Sequence, residues 1–490
     1  MPLRCPGTGT RVAAALACAG FGWAPGVDAM DVQITSDTVA QGYQLRSPWG
    51  EPVLSRRRYL QTLGMQISEG ADADPDAVHV LFRMRMRLDA DFGIEPTEVE
   101  PRDHPHTYVG GLQRTPVDLM YGYVEARNLA RGLLALRLGR QYLTDPLGWW
   151  SFDGALMRVQ LPVYMAFDTY GGFEQRGGLP LSTPRFEREG VWRGDRQSLD
   201  APMYPEFLDA GMAPAYGAVV ETWQLPVVHA RLAYRRVWNT GQVVTNPFPT
   251  QRTGVPPTTE GMRTSSERLG GSIDLTDGDL GVLRGGAVYD MPYAAVTSCY
   301  GALDAFASER LTLGADVDRV IPTFDGDAIW SFFWTEPTTT LLGRGDLELS
   351  RRYAVAASSG VRWVDVETGG AAGVARDLLA RASGRLRLTD GVVGLAGMVD
   401  AGERGQRWGG DLVAERWFEE RYGLSGRVSV YEWQDDWKPD RSATSLGYML
   451  GGAYRAGHDT RVTLEWEHST NRLVGQRYRV LAMLQLVVSE

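Results

Sequence analysis

His79–Asp91, with the sequence HVLFRMRMRLDAD, alternates apolar and charged residues with a period of two. The apolar set is Phe82, Met84, Met86, Leu88 and Ala90, and the charged set is Arg83, Arg85, Arg87, Asp89 and Asp91. Because successive side chains of a β-strand point to opposite faces, this segment predicts a strand with one apolar wall and one arginine-bearing wall. Such a strand fits a soluble sheet over a core, or a transmembrane barrel with arginines facing its lumen.

The same alternation recurs along the chain. It is found at 132–139, 228–235, 461–467 and 477–488. The alternation places Arg137, Arg158, Arg231 and Arg235 on the same charged wall. A charge on the lipid face near the bilayer midplane costs about 2–4 kcal/mol, so a membrane barrel would turn these arginines inward.

The predicted connections between strands alternate between short and long. The short turns are 128–131, 161–162, 224–226, 276–279, 389–391 and 456–459, and the long connectors are 92–116, 142–152, 172–215, 239–265, 322–338 and 434–442. Outer-membrane barrels separate tight periplasmic turns from long extracellular loops in this way, whereas a soluble Greek-key sandwich has no reason to do so. The sequence therefore predicts an all-β, transmembrane, antiparallel up-and-down barrel.

The number of strands is less sharply defined than the architecture. A generous count reaches about 22 candidates, and the weakest are 38–45 and 294–304. Because the long connectors use much of the chain, we expect about 18 strands, within a range of 16 to 22.

The first 29 residues predict an export signal. Arg4 and Arg11 give a positive start, 12–24 is apolar, and 27–29 offers small residues at a cleavage site. A lipoprotein cleavage before Cys18 is the alternative. We expect a signal peptide at 1–29 and a single barrel at 30–490, whose largest loop is 172–215, in the outer membrane of a Gram-negative-type cell. Past the signal, Cys299 is the only cysteine, which excludes an intrachain disulfide and a cysteine metal cluster.

Enzyme chemistry has little support in the sequence. None of the nucleophile, P-loop, zinc-protease or cofactor fingerprints is present. His104 and His106 lie beside Asp103 in a proline-rich connector, which fits an exposed loop better than a metal site. We therefore expect no catalytic residue, metal or cofactor, with a barrel-wall hydrolase that uses one Ser–His pair as the open alternative. A net charge of −10 argues against nucleic-acid binding.

The predicted solute path consists of Arg83, Arg85, Arg87, Arg137, Arg158, Arg231 and Arg235. Two interpretations of these arginines remain open. They could pair with inward carboxylates and close the lumen, or form a basic wall that selects anionic or sugar-like solutes. The carboxylates expected inside lie mostly on later strands: Asp316, Asp318, Asp346, Glu348, Glu465 and Glu467.

A local motif adds a resemblance. Gly139-Arg140-Gln141, the aromatic pair Trp149-Trp150, and Phe152-Asp153-Gly154-Ala155 together resemble a run in alginate-export-type outer-membrane barrels and related porins. The motif covers about 20 residues. The resemblance implies an 18-stranded barrel that exports an anionic or neutral exopolysaccharide. It would carry over Gly139, Arg140, Gln141, Phe152 and Asp153 as family residues.

The first functional hypothesis is a pore that exports an exopolysaccharide or passes sugar-like or anionic solutes. Its expected partners are outer-membrane lipid and lipopolysaccharide, the polysaccharide or solute, and a periplasmic export or envelope complex. The alternatives are a non-conducting anchor barrel, with its lumen plugged by 172–215, and a general diffusion porin.

Overall fold

A computed structural model describes residues 30–69, 77–91, 117–175, 212–241, 243–244, 258–259, 261–323, 336–368, 371–435 and 442–489. The predicted signal peptide and the His104 cluster lie outside these ranges. Twenty-two strands form one sheet, in which each strand pairs antiparallel with its neighbours along the chain. The last strand pairs with the first over fourteen residues of each, from Gln33–Ser489 to Arg46–Gln476, so the sheet is a closed barrel.

The barrel strands in chain order are β1 (Met30–Arg46), β2 (Pro52–Glu69), β3 (His79–Asp91), β4 (Val117–Asn128), β5 (Leu134–Asp145), β6 (Gly148–Leu161), β7 (Met165–Glu174), β8 (Pro214–Thr222), β9 (Val228–Asn239), β12 (Arg263–Asp277), β13 (Gly281–Asp290), β14 (Ala295–Ser308), β15 (Leu311–Val320), β16 (Thr338–Glu348), β17 (Tyr353–Thr368), β18 (Ala371–Leu388), β19 (Gly391–Gly402), β20 (Gly405–Phe418), β21 (Tyr422–Asp435), β22 (Ser442–Arg455), β23 (Thr460–Asn471) and β24 (Gly475–Ser489). Between β9 and β12 lies a two-stranded ribbon of β10 (Val243–Val244) and β11 (Thr258–Thr259). A four-residue helical turn, α1 (Leu129–Gly132), joins β4 to β5.

The expected count of about 18 strands is too low. Both weak candidates are strands, in β1 and β14, and each is longer than its sequence pattern indicated. The pattern of β1 is weak because polar residues occupy its outer face. There Gln61 of β2 donates to Ser36 Oγ (2.8 Å) and accepts from Thr38 Oγ1 (2.5 Å). Hydrogen bonds within this cluster satisfy the polar groups, so the strand does not need an apolar residue at every outer position.

The arginine face of the strands lies inside the barrel. Arg85 of β3 reaches across β2 to Asp37 of β1 (2.6 Å), and Arg344 of β16 reaches across β15 to Asp304 of β14 (2.6 Å). Contacts over an intervening strand form on the concave side of a closed sheet, where side chains converge. In the structure, the arginine face of the opening segment is therefore the inner face of β3.

Apart from the polar cluster on β1 and β2, the opposite face is largely apolar and exposed. The exposed leucines on this outer face include Leu63, Leu138, Leu232, Leu283, Leu303, Leu341, Leu378, Leu395, Leu412, Leu450 and Leu464. An apolar outer wall combined with a charged inner wall is the pattern of a transmembrane barrel. Within the described ranges, no helix is long and apolar enough to cross a membrane.

The two ends of the barrel carry different connections. The end that holds Met30 and Ser489 has short turns, among them 162–164, 223–227 and 389–390. The opposite end has the connections 92–116, 175–213, 240–262 and 321–337. The four longest connections thus lie at one end, as predicted, but that end also has the short turns 291–294, 403–404 and 472–474, so the separation is only partial. The predicted long connector 142–152 is a further exception, and it shapes the interior.

The orientation of the faces can be tested with one pair of neighbouring residues on β23. We expect Leu464→Arg, on the outer face, to lower the free energy of unfolding in phospholipid vesicles by about 2–4 kcal/mol, because the charge enters lipid. Thr463→Arg, on the inner face, should have little effect. Urea titrations of both variants would measure the difference, and equal destabilisation would contradict the assignment of faces.

Candidate functional site

The loop-side half of the β5–β6 hairpin leaves the barrel wall and folds inward. Pairing of β5 with β4 stops at Gly122–Arg140, whereas pairing of β5 with β6 continues to Asp145–Gly148. The hairpin tip meets β9 and β12, where the Leu147 carbonyl accepts from Arg235 Nη2 (3.4 Å). A Cβ on Gly270 of β12 would lie only 2.6 Å from Leu147 Cδ2.

β6 and β12 are four strands apart, roughly 19 Å along the wall at 4.8 Å per strand, so the tip crosses the inner surface of β7 and β8. We call residues 141–152 the inner hairpin. The expectation of a long external loop at 142–152 is therefore wrong. This segment is two strand ends joined by the turn 146–147, and it occupies part of the lumen.

The motif residues shape the bend of the inner hairpin. Gly139 has a φ of 128°, and a Cβ there would lie 2.3 Å from the Gly122 carbonyl oxygen, so only glycine allows β4 and β5 to approach this closely. Above it, Arg140 spans the gap where the strands separate, donating to the Leu119 carbonyl (2.9 Å) and to Asp153 Oδ1 (2.7 Å).

The next motif residues, Gln141 and Phe152, are buried within the inner hairpin itself. Gln141 donates to the Gly154 carbonyl (3.1 Å), and both Gln141 and Phe152 are fully buried. In the structure, the five residues taken from the resemblance therefore bend and seal the hairpin, and the two buried ones cannot touch a passing polymer.

A buried ion pair holds the inner hairpin against β9. Asp145 Oδ2 lies 3.7 Å from Arg235 Nη1, and the two side chains are 2% and 7% exposed. Asp145 also accepts from the Leu147 backbone N–H (2.8 Å). The Arg235 guanidinium lies over the Trp150 ring, 5.0 Å from its centre.

Aromatic packing completes this anchorage. Trp150 stacks on Phe152 with ring centres 4.6 Å apart, and its indole donates to Glu174 (2.9 Å). The buried cluster consists of Trp150, Phe152, Leu156, Tyr170, Ala213, Ala215, Val219, Ala233 and Val237. This side of the barrel interior is a packed core and not open channel.

Carboxylates stand beside most of the predicted lumen arginines. Arg158 contacts Asp168 (3.0 Å) and Glu221, and Arg231 contacts the other oxygen of Glu221 (2.8 Å). Glu221 of β8 thus links β6, across β7, to the adjacent β9.

The β3 and β5 arginines follow the same pattern. Arg137 contacts Glu125 (3.0 Å), Arg87 lies 3.6 Å from Asp118, and Arg85 contacts Asp37. Arg83 instead donates to the amide oxygen of Gln66 (2.6 Å).

These partners come from neighbouring strands and not from the far wall. The later carboxylates have later partners, as in Asp316 with Arg344 (2.8 Å) and Glu467 with Arg479 (2.5 Å). Of the two interpretations of the predicted lumen arginines, local pairing with carboxylates of nearby strands describes most of them.

Two inward arginines that the sequence analysis missed have different surroundings. Arg381 and Arg385 of β18 are exposed on the inner face, and neither makes a hydrogen bond, ion pair or ring contact with any residue in the described ranges. Arg381 lies between Ser358 of β17 and Met398 of β19. Arg381 and Arg385 share a face with Asp377, because the three residues are four positions apart on the strand. Asp377 pairs with Arg362 (2.7 Å). The apolar residues of β18 do not alternate cleanly, so the sequence pattern did not show which face these residues occupy.

The floor around these two guanidinium groups is made of small side chains. Ala354, Ala356, Ala396 and Gly394 flank them on β17 and β19, as does Ser383 on β18 itself. The inward carboxylates at about this height, Asp346, Glu348 and Asp411, lie two strands away. That is roughly 10 Å, about one Debye length at physiological salt. Among the described residues, no group of three or more His, Cys, Asp or Glu side chains is arranged to hold a metal ion.

Comparisons with known proteins give structural likeness only. No protein-family model matches the chain, and no curated protein sequence matches it. Pseudomonas aeruginosa OccK9 (OpdG) aligns at 9% identity and a TM-score of 0.44, over 94% of this chain and 98% of that one. Acinetobacter baumannii OccAB2 aligns at 8% identity and a TM-score of 0.44, over 94% of this chain and 98% of that one. P. aeruginosa OpdK with vanillate aligns at 10% identity and a TM-score of 0.43, over 95% of this chain and 100% of that one. At these TM-scores the likeness carries no argument about function.

The Asp145–Arg235 pair offers a direct test of the inner hairpin. We expect Asp145→Ala to destabilise the barrel by about 3–5 kcal/mol, because it leaves a buried guanidinium without its carboxylate. The loosened hairpin should also raise single-channel conductance. Asp274→Ala is the matched control, since Asp274 faces the same interior but is 38% exposed and 4.0 Å from its partner His229. Unchanged stability and conductance in Asp145→Ala would show that the pair does not hold the hairpin.

Proposed function

We propose that this chain is an outer-membrane pore that passes small solutes and prefers anions to cations. The closed barrel, with apolar residues outside and charged residues inside, supports the membrane location. The observation that carries the anion preference is the pair Arg381 and Arg385. These inward guanidinium groups lack any partner among the described residues.

The size of the barrel supports a pore and also requires that it be narrowed. At about 4.8 Å per strand and a tilt of about 40°, 22 strands enclose a cylinder roughly 44 Å across between backbones. Barrels of this strand number generally carry material in the lumen. The inner hairpin and its aromatic cluster fill the β5–β9 side, which leaves the β16–β24 side as the wall beside which solutes would move.

The paired arginines are weak candidates for solute contact. A guanidinium that already holds a carboxylate presents little net charge, as with Arg158 and Arg231 around Glu221. Arg381 and Arg385 keep their full charge and their planar donor groups. These groups match carboxylate and phosphate oxygens in a bidentate fashion. Small anionic solutes with such groups are the class that this wall suits.

Exopolysaccharide export has less support than solute passage. It was suggested by the motif at 139–155, and two of the motif's key residues, Gln141 and Phe152, are buried in the inner hairpin. The proposal therefore rests on the inner wall of β17–β19 and not on the motif. A non-conducting anchor barrel remains the competing function, and conductance separates the two.

The test is ion selectivity in planar bilayers, measured as reversal potential in a KCl gradient. One guanidinium at 4 Å is worth about 1 kcal/mol to an anion in water, so the double variant Arg381→Gln/Arg385→Gln should lower the anion-to-cation permeability ratio roughly fivefold or more. Arg376→Gln on the outer face of the same strand is the control and should leave the ratio unchanged.

Two results would count against the proposal. Absence of any ion current from the folded wild-type barrel would favour the anchor function. A current whose selectivity is the same in the double variant and in Arg376→Gln would remove Arg381 and Arg385 as the source of anion preference.

A further inference from the structure

A recess lies in the inner wall, away from the arginine pair on β18. It has a volume of about 630 Å³ and runs from β21 to β1, near the end of the barrel that carries the long connections. Ser429, Gly447 and Ser469 form one row of its floor, on three adjacent strands. Because these side chains are small, the wall is recessed there. The volume falls in the range of about 300–1,000 Å³ that is typical of small-molecule sites. We call this recess the mouth groove.

Two aromatic side chains stand at opposite sides of the mouth groove. Trp433 lies on β21 and Tyr43 on β1, and both are half-buried. Neither makes a hydrogen bond or a ring contact with any residue that the structure describes. The indole N–H and the phenol hydroxyl are therefore available to a ligand, as are the ring faces. Aromatic residues with a polar end suit ligands that have both apolar and polar surfaces.

The charges in and beside the mouth groove balance as a set. Glu467 accepts from Arg477 and Arg479, and Arg427 donates to Asp411 (2.8 Å). Glu465 lines the groove and has no partner within the described ranges. Counted together, Asp411, Glu465 and Glu467 balance the three guanidinium groups, so the mouth groove has no net charge and favours a neutral solute. An ionised carboxylate only accepts hydrogen bonds, so Glu465 calls for a ligand that donates them.

We propose that the mouth groove binds a neutral solute rich in hydroxyl groups, of the saccharide class. The ring of the solute would lie against Trp433 and Tyr43. Its hydroxyls would donate to Glu465 and Glu467 and accept from the Trp433 indole N–H. This inference rests on the proposed pore, and it names a neutral solute class beside the anions that Arg381 and Arg385 suit.

The experiment uses the full-length barrel in a planar bilayer, with maltotriose and cellobiose as probes added to the side of the long connections. We expect a saturable reduction of the ion current by at least one of these sugars. Trp433→Ala should raise the half-blocking concentration roughly three- to tenfold, since an aromatic contact is worth about 0.5–1.5 kcal/mol. Tyr300→Ala is the matched control, because Tyr300 is an exposed inward tyrosine on β14, outside the groove.

The outcomes separate the groove from the pore. If neither sugar reduces the current, or if Trp433→Ala and Tyr300→Ala behave alike, the groove proposal fails while conductance and anion preference stand. If the wild-type barrel conducts no ions, the proposed function fails instead. The groove is then tested by quenching of tryptophan fluorescence on addition of maltotriose. That quenching must be smaller in Trp433→Ala than in Tyr300→Ala for the groove proposal to survive.

Discussion

Closure of the sheet is the constraint on which the rest of this structure depends. When β24 pairs with β1, every barrel strand has a hydrogen-bonded neighbour on each side. The closed sheet then has only an inside and an outside, and strand parity assigns each side chain to one of them. Met84 and Met86 must face outward if Arg83, Arg85 and Arg87 face inward. The same rule fixes the leucines of the outer wall.

The width of the closed sheet creates a second requirement. A barrel of 22 strands is too wide for side chains alone to fill, so other parts of the chain must enter the lumen. The inner hairpin does so, and its geometry explains the local sequence. Gly139 permits the close approach at the bend, Arg140 covers the backbone carbonyl where β4 and β5 part, and Asp145 fixes the tip to Arg235. Residues that resembled a family motif are thus accounted for by the packing of one hairpin.

The charged side chains of the inner wall are of two kinds, those paired with an opposite charge and those without such a partner in the described ranges. On the β1–β9 side the arginines are tied to adjacent carboxylates, which links strands and cancels charge over a few ångströms. On the β16–β24 side, Arg381, Arg385 and Glu465 keep their charge among small neighbours. A group that is already paired has little left to offer a solute, so function is expected where pairing is incomplete. The most conspicuous arginine ladder in the sequence is therefore not the most available one.

The sequence by itself determined the antiparallel barrel architecture and which side chains share a face, because both depend on the local rule of period two. It underestimated the strand count where β1 replaces apolar outer residues with a hydrogen-bonded polar cluster. Only the tertiary structure decided that 142–152 folds inward, that Arg85 meets Asp37, and that Arg381 meets no described partner. These are contacts between strands whose register and curvature are set by closure of the whole barrel. Parity shows which wall a side chain is on, but not which side chain it will meet there.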